Sequence, residues 1–109
     1  MARPVPGKRV RGSVTGRPIM ALLDLLGRRW ALRIGWELRG GPLSFRALQE
    51  RCEALSPSVL SQRLAELRDA GIVELREKEG YALTPEGRRL GDALAGLDAW
   101  AKRWARRSV

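Results

Sequence analysis

The clearest hydrophobic pattern in the chain lies in its second half. Leu60, Leu64 and Leu67 recur at intervals of four and three residues, which places them on one side of a helix. Gly71 favours an end to that helix, and an apolar strand pattern follows directly. The spacing therefore predicts a helix over residues 57–70 that buries its leucine side.

The start and the polar side of this predicted helix suggest what it does. Ser56 is suited to cap the helix N-terminus, and Pro57 suits the first helical position. The side chains opposite the leucines are short or carry an amide, unlike the long charged side chains usual on a solvated helix. These residues are Ser58, Ser61, Gln62 and Ala65. Because bulk would block approach to base edges in a DNA major groove, we interpret this segment as a recognition helix with these four residues facing the bases.

Two shorter helices are predicted near the start of the chain. Residues 19–26 are apolar on nearly every side, which is typical of a short buried helix. Residues 29–38 predict a second helix whose apolar positions cover most of its circumference, as expected of a central helix with several neighbours. Arg33 and Glu37 form an i,i+4 pair on its remaining face.

A third helix is predicted over residues 45–52, with Ser44 as its N-cap. Only residues 53–55 separate it from the recognition helix, so the two helices form a helix-turn-helix. Arg46, near its start, is a candidate for contact with a DNA phosphate. Cys52, at its end, is either a small packing residue or a sensor whose modification would tilt the unit.

The recognition helix is followed by a predicted β-hairpin. Residues 72–78 alternate between apolar and polar positions, Glu79–Gly80 permits a turn, and residues 81–84 return the chain. A small antiparallel hairpin in this place is a wing. Its charges are mixed, and Arg76 and Lys78 are its candidates for phosphate contact.

The last predicted helix, over residues 85–106, carries a long apolar stripe. Thr84 and Pro85 repeat the capping pattern of the recognition helix. The stripe consists of Leu90, Ala93, Leu94, Leu97, Trp100, Ala101 and Trp104. A domain of this size cannot cover so long a helix, so the stripe predicts a dimer interface, which would also supply two recognition helices for a palindromic site. The alternative is that the stripe folds back onto the first two helices of the same chain.

The net charge of +9 is concentrated at the two ends of the chain. Residues 1–18 hold five basic residues and no acid, and residues 102–109 hold four, which leaves the middle neutral. Basic ends favour polyanions such as nucleic acid because binding releases counterions. Residues 1–17, rich in Arg, Pro and Gly, predict a flexible arm that either contacts DNA or is passive.

Several classes of protein are disfavoured by what the sequence lacks. There is no histidine and a single cysteine, which removes Cys/His zinc sites, histidine-dependent catalysis and an intramolecular disulfide. No Gly-rich phosphate loop is present. We therefore expect neither an enzyme nor a cofactor. The absence of a membrane-length apolar run and of a signal peptide predicts a cytoplasmic protein without a membrane partner.

The order of elements is that of a winged helix-turn-helix, and at the sequence level the chain resembles the HxlR-type regulators, a branch close to the MarR-like proteins. The resemblance spans about residues 18 to 104. It is carried by LDLLGRRW at 23–30, EL at 37–38, GP at 41–42, FRALQ at 45–49, LSPSVLSQRL at 55–64, LRDAGIV at 67–73 and YALTPEG at 81–87. The middle segments are the most specific of these.

The resemblance implies a homodimeric bacterial transcription factor whose dimer is built largely from the terminal helices. Some members sense electrophiles or oxidants through a cysteine just before the first core helix. Gly16, Arg17 and Pro18 stand there in this chain, so that mechanism does not carry over. Many members also carry a basic residue early in the recognition helix. Ser58 stands at about that place, which implies fewer charge contacts with DNA.

The predicted fold is mainly α (α+β): a winged helix-turn-helix domain over residues 18–107, with a two-stranded β-wing and a long C-terminal dimerisation helix. The predicted function is sequence-specific binding of double-stranded DNA by a homodimeric transcriptional regulator on a palindromic operator. Arg63 and Arg68 flank the base-facing side and either hold phosphates or pair with Glu66 or Asp69.

Two other functions fit parts of the sequence. The mixed charge of the wing and the tryptophan stripe also suit a winged-helix module that binds a protein partner, with incidental DNA binding. Trp100 and Trp104 beside basic residues give some support to a final helix that lies on an anionic membrane. Whether the protein responds to a small-molecule effector is not determined by the sequence.

Overall fold

The computed structural model describes residues 17–107 and shows a winged helix-turn-helix. Five α-helices and one two-stranded antiparallel sheet are formed within that range, which confirms the predicted fold class. The elements are α1 (Pro18–Leu26), α2 (Ala31–Glu37), a 3-10 turn (Leu38–Gly40), α3 (Phe45–Arg51), α4 (Pro57–Asp69), β1 (Val73–Arg76), β2 (Gly80–Leu83) and α5 (Pro85–Arg107). The predicted arm lies outside the described residues except for Arg17, the N-cap of α1.

The second helix differs most from the prediction at its ends. It begins at Ala31 because Trp30 has the left-handed backbone conformation, with φ of 75°, and so cannot continue a right-handed helix from residue 29. After Glu37 the chain tightens into the 3-10 turn, which ends at Gly41. The two tight ends leave a short α2 in the middle of the domain.

The core forms where α2, α3 and α4 meet. Its fully buried side chains come from each of these helices and the turns that follow them: Ile34, Leu38, Leu48, Cys52, Leu60, Leu64 and Leu67. Helix α2 contacts α1, α3, α4 and α5, which confirms its predicted central place. The three leucines of α4 are buried as their spacing predicted.

The wing is short and is joined by a third piece of extended chain. In the sheet, Val73 pairs with Leu83 and Arg76 pairs with Gly80. Leu43 exchanges two backbone hydrogen bonds with Tyr81, at 2.9 and 2.8 Å, in a bridge that was not predicted. A Cβ atom at Gly80 would lie 2.5 Å from the Leu43 carbonyl oxygen, so only glycine allows this approach.

The start of α5 is fixed against the wing by the threonine and glycine of the Leu-Thr-Pro-Glu-Gly segment. The Thr84 hydroxyl donates to the Gly71 carbonyl oxygen at 2.5 Å and accepts from the Gly87 N–H at 3.0 Å, which confirms its predicted capping role. A Cβ atom at Gly87 would lie 2.1 Å from the Ile72 carbonyl oxygen. The helix can therefore begin close to β1 because position 87 has no side chain. None of the described helices is long and apolar enough to cross a membrane.

Candidate nucleic-acid interface

The N-termini of both helices in the helix-turn-helix are capped by serine side chains. The Ser44 hydroxyl accepts from the Ala47 N–H at 3.1 Å, and the Ser56 hydroxyl accepts from the Val59 N–H at 3.3 Å. Both caps were predicted, because an N-cap depends only on residues within one helical turn. One of the otherwise unpaired amides at each helix start is thus satisfied locally, and the first turn of α4 is well defined.

A glutamine side chain closes the turn between α3 and α4. The side-chain Nε2 of Gln49 donates to the Leu55 carbonyl oxygen at 2.9 Å. The backbone carbonyl oxygen of Gln49 accepts from the Ala54 N–H, also at 2.9 Å. Glu53 and Ala54 both have left-handed backbone conformations, with φ of 60° and 59°. Gln49 therefore holds together a turn whose residues are not glycine. This role of Gln49 was not predicted. The one sign of it in the sequence is that Gln49 ends the FRALQ segment at 45–49, which carries part of the family resemblance.

Helix α4 separates an apolar side from a side of short polar residues. The three leucines are buried, Ser58, Ser61 and Gln62 are exposed, and Ala65 is half-buried. Asp69 is also exposed and lies seven residues after Gln62, so a carboxylate marks the C-terminal end of this face. The N-terminal two turns are therefore the part of α4 that suits an approach to DNA.

The predicted phosphate-contacting residues outside α4 all have exposed or half-exposed side chains. Arg46 is 89% exposed and lies 3.7 Å from Glu50 in the next helical turn. Lys78 is exposed in the wing turn. Arg76 Nε donates to Glu74 Oε2 at 2.7 Å, so its charge is partly offset within the wing. Arg46 and Lys78 present the more available charges.

The two arginines of α4 lie in different environments. Arg68 is exposed. Arg63 is half-buried: its Nε donates to the Arg29 carbonyl oxygen at 2.8 Å and its Nη1 donates to Glu66 Oε1 at 2.9 Å. The predicted pairing of Arg63 with Glu66 is thus present, but Glu66 is buried and not on the surface. A phosphate contact by Arg63 would have to compete with both bonds.

Cys52 lies fully buried in the core at the end of α3. Burial raises the pKa of its thiol, while the nearby Arg33 guanidinium opposes that rise. A raised pKa leaves little thiolate at neutral pH, and burial blocks access by reagents. These features favour the packing role over the sensor role.

The apolar stripe of α5 is divided between two environments. Leu90, Leu94 and Ala101 are half-buried, and Leu94, Leu97 and Ala101 line an open groove with Leu32 and Trp36 of α2. The remaining four residues of the stripe are exposed: Ala93, Leu97, Trp100 and Trp104. The indoles of the two tryptophans stack with centroids 5.9 Å apart. One edge of the stripe therefore folds onto the same chain, and the other edge is an exposed apolar surface.

Among residues 17–107 there is no group of three or more histidine, cysteine, aspartate or glutamate side chains that could hold a metal ion. An open groove of about 670 Å³ lies between α2 and α5. Its walls are mainly apolar and include Leu32, Trp36, Leu90 and Leu94. The described residues thus present two distinct surfaces, the short polar side of α4 and the apolar groove between α2 and α5.

Comparison with known proteins identifies related regulators. The model of the HxlR-like helix-turn-helix family matches residues 25–109. The HTH-type transcriptional regulator YvaP of Bacillus subtilis is 33% identical over 88 residues, covering 75% of this chain and 82% of YvaP. YodB of the same organism, also an HTH-type transcriptional regulator, is 34% identical over 84 residues, covering 72% of this chain and 75% of YodB. The crystal structure of quinone-bound YodB superposes with a TM-score of 0.72, covering 78% of this chain and 96% of that one.

Proposed function

This chain belongs to the HxlR-like helix-turn-helix family and is a transcriptional regulator with a helix-turn-helix DNA-binding fold, and we propose that it acts as a homodimer on a palindromic duplex site. The observation that carries the proposal is the exposed N-terminal face of α4, which is capped, rigidly joined to α3 and free of bulky side chains. A helix of this kind fits the major groove and brings short polar groups to the base edges. The proposal includes a cytoplasmic location, where a bacterial regulator meets its DNA.

In this proposal Ser58, Ser61, Gln62 and Ala65 contact base edges. Gln62 has an amide that can both donate to and accept from adenine, and the Ala65 methyl can contact a thymine methyl. The two serines have short hydroxyls that suit several bases. Sequence preference would thus come from a helix face that carries no positive charge of its own.

Attraction for DNA phosphates would come from basic residues around the base-facing side of α4. We assign it to Arg46, Arg68 and Lys78, with a weaker part for Arg76 because Glu74 is bound to its guanidinium. The basic residues at the two ends of the chain add attraction for any duplex, because each neutralised phosphate releases counterions. Binding should therefore weaken steeply as salt rises.

The proposed dimer interface is the exposed edge of the α5 stripe. The exposure of these leucine and tryptophan side chains to water is unfavourable. A second copy of the chain that covers them would remove them from water and so stabilise the dimer. Exposed Ile19 and Leu23 on α1 add apolar surface outside α5. A two-fold dimer presents the same recognition helix twice, which matches an inverted repeat in DNA.

The experiment is selection of duplex sites from a random pool by the purified full chain. We expect an inverted repeat with half-site centres about 10 base pairs, or a multiple of that, apart. Enrichment of no sequence, together with retention of a protein partner through α5, would instead favour a winged-helix interaction module with incidental DNA binding. The observation that supports this second function is the exposure of Trp100 and Trp104, which suit a protein partner.

A further inference from the structure

A buried carboxylate links the recognition helix to the corner between α1 and α2. Glu66 lies on α4 and is only 3% exposed. Arg28 Nη1 donates to its Oε2 at 2.5 Å, and Arg63 Nη1 donates to its Oε1 at 2.9 Å. Arg63 Nε also donates to the Arg29 carbonyl oxygen at 2.8 Å. We call Arg28, Glu66 and Arg63 the corner network.

The corner network runs on into α1. Arg28 Nη2 lies 3.5 Å from Asp24 Oδ2, one turn earlier along that helix. In the corner itself, Trp30 has a left-handed backbone conformation and packs against the core. Salt bridges through Arg28 therefore connect Asp24 of α1 to Glu66 of α4. Arg28 and Glu66 are 38 residues apart in the sequence.

Stability alone is a weak reason for such a network. Removing two guanidiniums and a carboxylate from water costs free energy that their mutual attraction largely offsets, and apolar side chains would serve a core equally well. Charge-assisted hydrogen bonds differ from apolar contacts in being directional. They fix the rotation and tilt of the helix that carries them.

The corner network lies on the part of α4 that carries the proposed base-facing residues. Arg63 directly follows Gln62, and Glu66 directly follows Ala65. The two anchored residues therefore belong to the same turn of helix as two of the proposed base-facing residues. A small rotation of α4 would move Gln62 away from hydrogen-bond distance to a base edge while leaving phosphate contacts nearby.

We propose that Arg28, Glu66 and Arg63 are positioning residues that orient α4 for base readout, and that Arg63 serves this network and not a DNA phosphate. The inference rests on the proposed function, since it concerns how that function becomes sequence-specific. Disrupting the network should lower the preference for the selected site over random duplex. It should leave the general attraction for DNA in place.

The first test compares Glu66→Gln with Glu86→Gln. Both substitutions remove one negative charge from a glutamate that pairs with an arginine three residues away in the same helix, but Glu86 is exposed at the start of α5. The control therefore absorbs the general gain in DNA affinity from the added net positive charge. We expect Glu66→Gln to lower the ratio of selected-site to random-duplex affinity roughly tenfold, the scale of one lost base contact, and Glu86→Gln to leave it unchanged. An unchanged ratio for folded Glu66→Gln would overturn the inference.

A second variant decides the question if Glu66→Gln does not fold. Arg63→Met removes one arm of the network and leaves the Arg28–Glu66 pair, and circular dichroism verifies its helix content. A positioning role predicts a lower affinity ratio and an unchanged salt dependence on random duplex. A phosphate contact instead predicts equal weakening on all duplexes and a salt slope reduced by about one. Arg68→Met, at a proposed phosphate contact, provides that second pattern for comparison.

The proposed function and the positioning role are contradicted by different results. If the wild-type chain enriches no duplex sequence, the proposed function is wrong and the affinity ratio has no meaning. If the wild-type chain enriches a site and both network variants keep the wild-type ratio, only the positioning role is wrong.

Discussion

Gln62 is the residue of α4 best able to distinguish one base from another, because its amide offers a donor and an acceptor side by side. Its side chain is exposed on the proposed base-facing side. We expect Gln62→Ala to cost about 1–3 kcal/mol on the selected site and much less on random duplex. Titration of both duplexes at one salt concentration measures the difference. Equal losses on the two duplexes would show that Gln62 does not read bases.

Cys52 should behave as a core side chain and not as a sensor. Burial raises the pKa of its thiol, so the reactive thiolate becomes abundant only at higher pH than for a free cysteine. We expect a thiol reagent at neutral pH to modify Cys52 slowly in the folded protein and quickly in denaturant. Electrophile or oxidant treatment should leave DNA binding unchanged in the wild type and in Cys52→Ala. Rapid modification of the native protein, with loss of DNA binding, would contradict this account.

Local features of single residues could be predicted from the sequence, and long-range ones could not. The caps at Ser44 and Ser56 follow from residues within one turn, and the structure contains both. The spacing of Arg63 and Glu66 correctly indicates a pair, but nothing local shows that Glu66 is buried. Its burial depends on Arg28, 38 residues away, which the fold brings to 2.5 Å.

At the scale of elements, the start of α5 depends on a glycine with no room for a side chain. A Cβ at Gly87 would lie 2.1 Å from the Ile72 carbonyl oxygen, whereas a Cβ at Gly91 would meet nothing within 4 Å. We expect Gly87→Ala to destabilise the domain by more than about 2 kcal/mol, because either α5 or the chain leading into β1 must move to make room for the added methyl group. Gly91→Ala should be neutral or stabilising by up to about 1 kcal/mol, since alanine favours a helix.

Chemical denaturation of the two alanine variants measures these effects. The comparison is controlled because both substitutions add one methyl group to the same helix. Similar stability of the two variants would mean that α5 does not lie as close to Ile72 as the structure places it.

The order of elements follows from apolar spacing, but several element boundaries do not. The 3.6-residue pattern over 29–38 continues through Trp30 and past Glu37, although the backbone leaves the α-helix at both places. The cause at Trp30 is its left-handed backbone conformation, in the corner between α1 and α2. Likewise, the bridge between Leu43 and Tyr81 depends on the path of a distant loop, and its one local sign is Gly80.

The exposed edge of α5 should hold two copies of the protein together. Leu97 is 59% exposed on α5, and Leu75 is 50% exposed on the wing, which makes them a matched pair of apolar surface residues. We expect Leu97→Glu to shift the protein to monomers and Leu75→Glu to leave it dimeric. A buried charge in an apolar interface lacks a partner, and the same charge on a free surface is solvated.

Sedimentation equilibrium of wild type and both variants measures this. A wild-type monomer at micromolar concentration, or a Leu97→Glu dimer, would show that this edge is not the interface. Periodicity alone gave one stripe of seven residues and could not divide it. The division depends on where α2 packs, and that contact leaves four of the seven exposed.

If α4 of each subunit reads the same bases in two half-sites, then a change at one base-facing residue must alter both half-sites alike. Duplex selection is carried out in parallel with the wild-type chain and with Gln62→Ala. The account predicts an inverted repeat for the wild type. For Gln62→Ala it predicts relaxed preference at one position in each half-site, related by the two-fold axis, with the other positions unchanged. Identical preferences for the two proteins, or a change in only one half of the site, would contradict it.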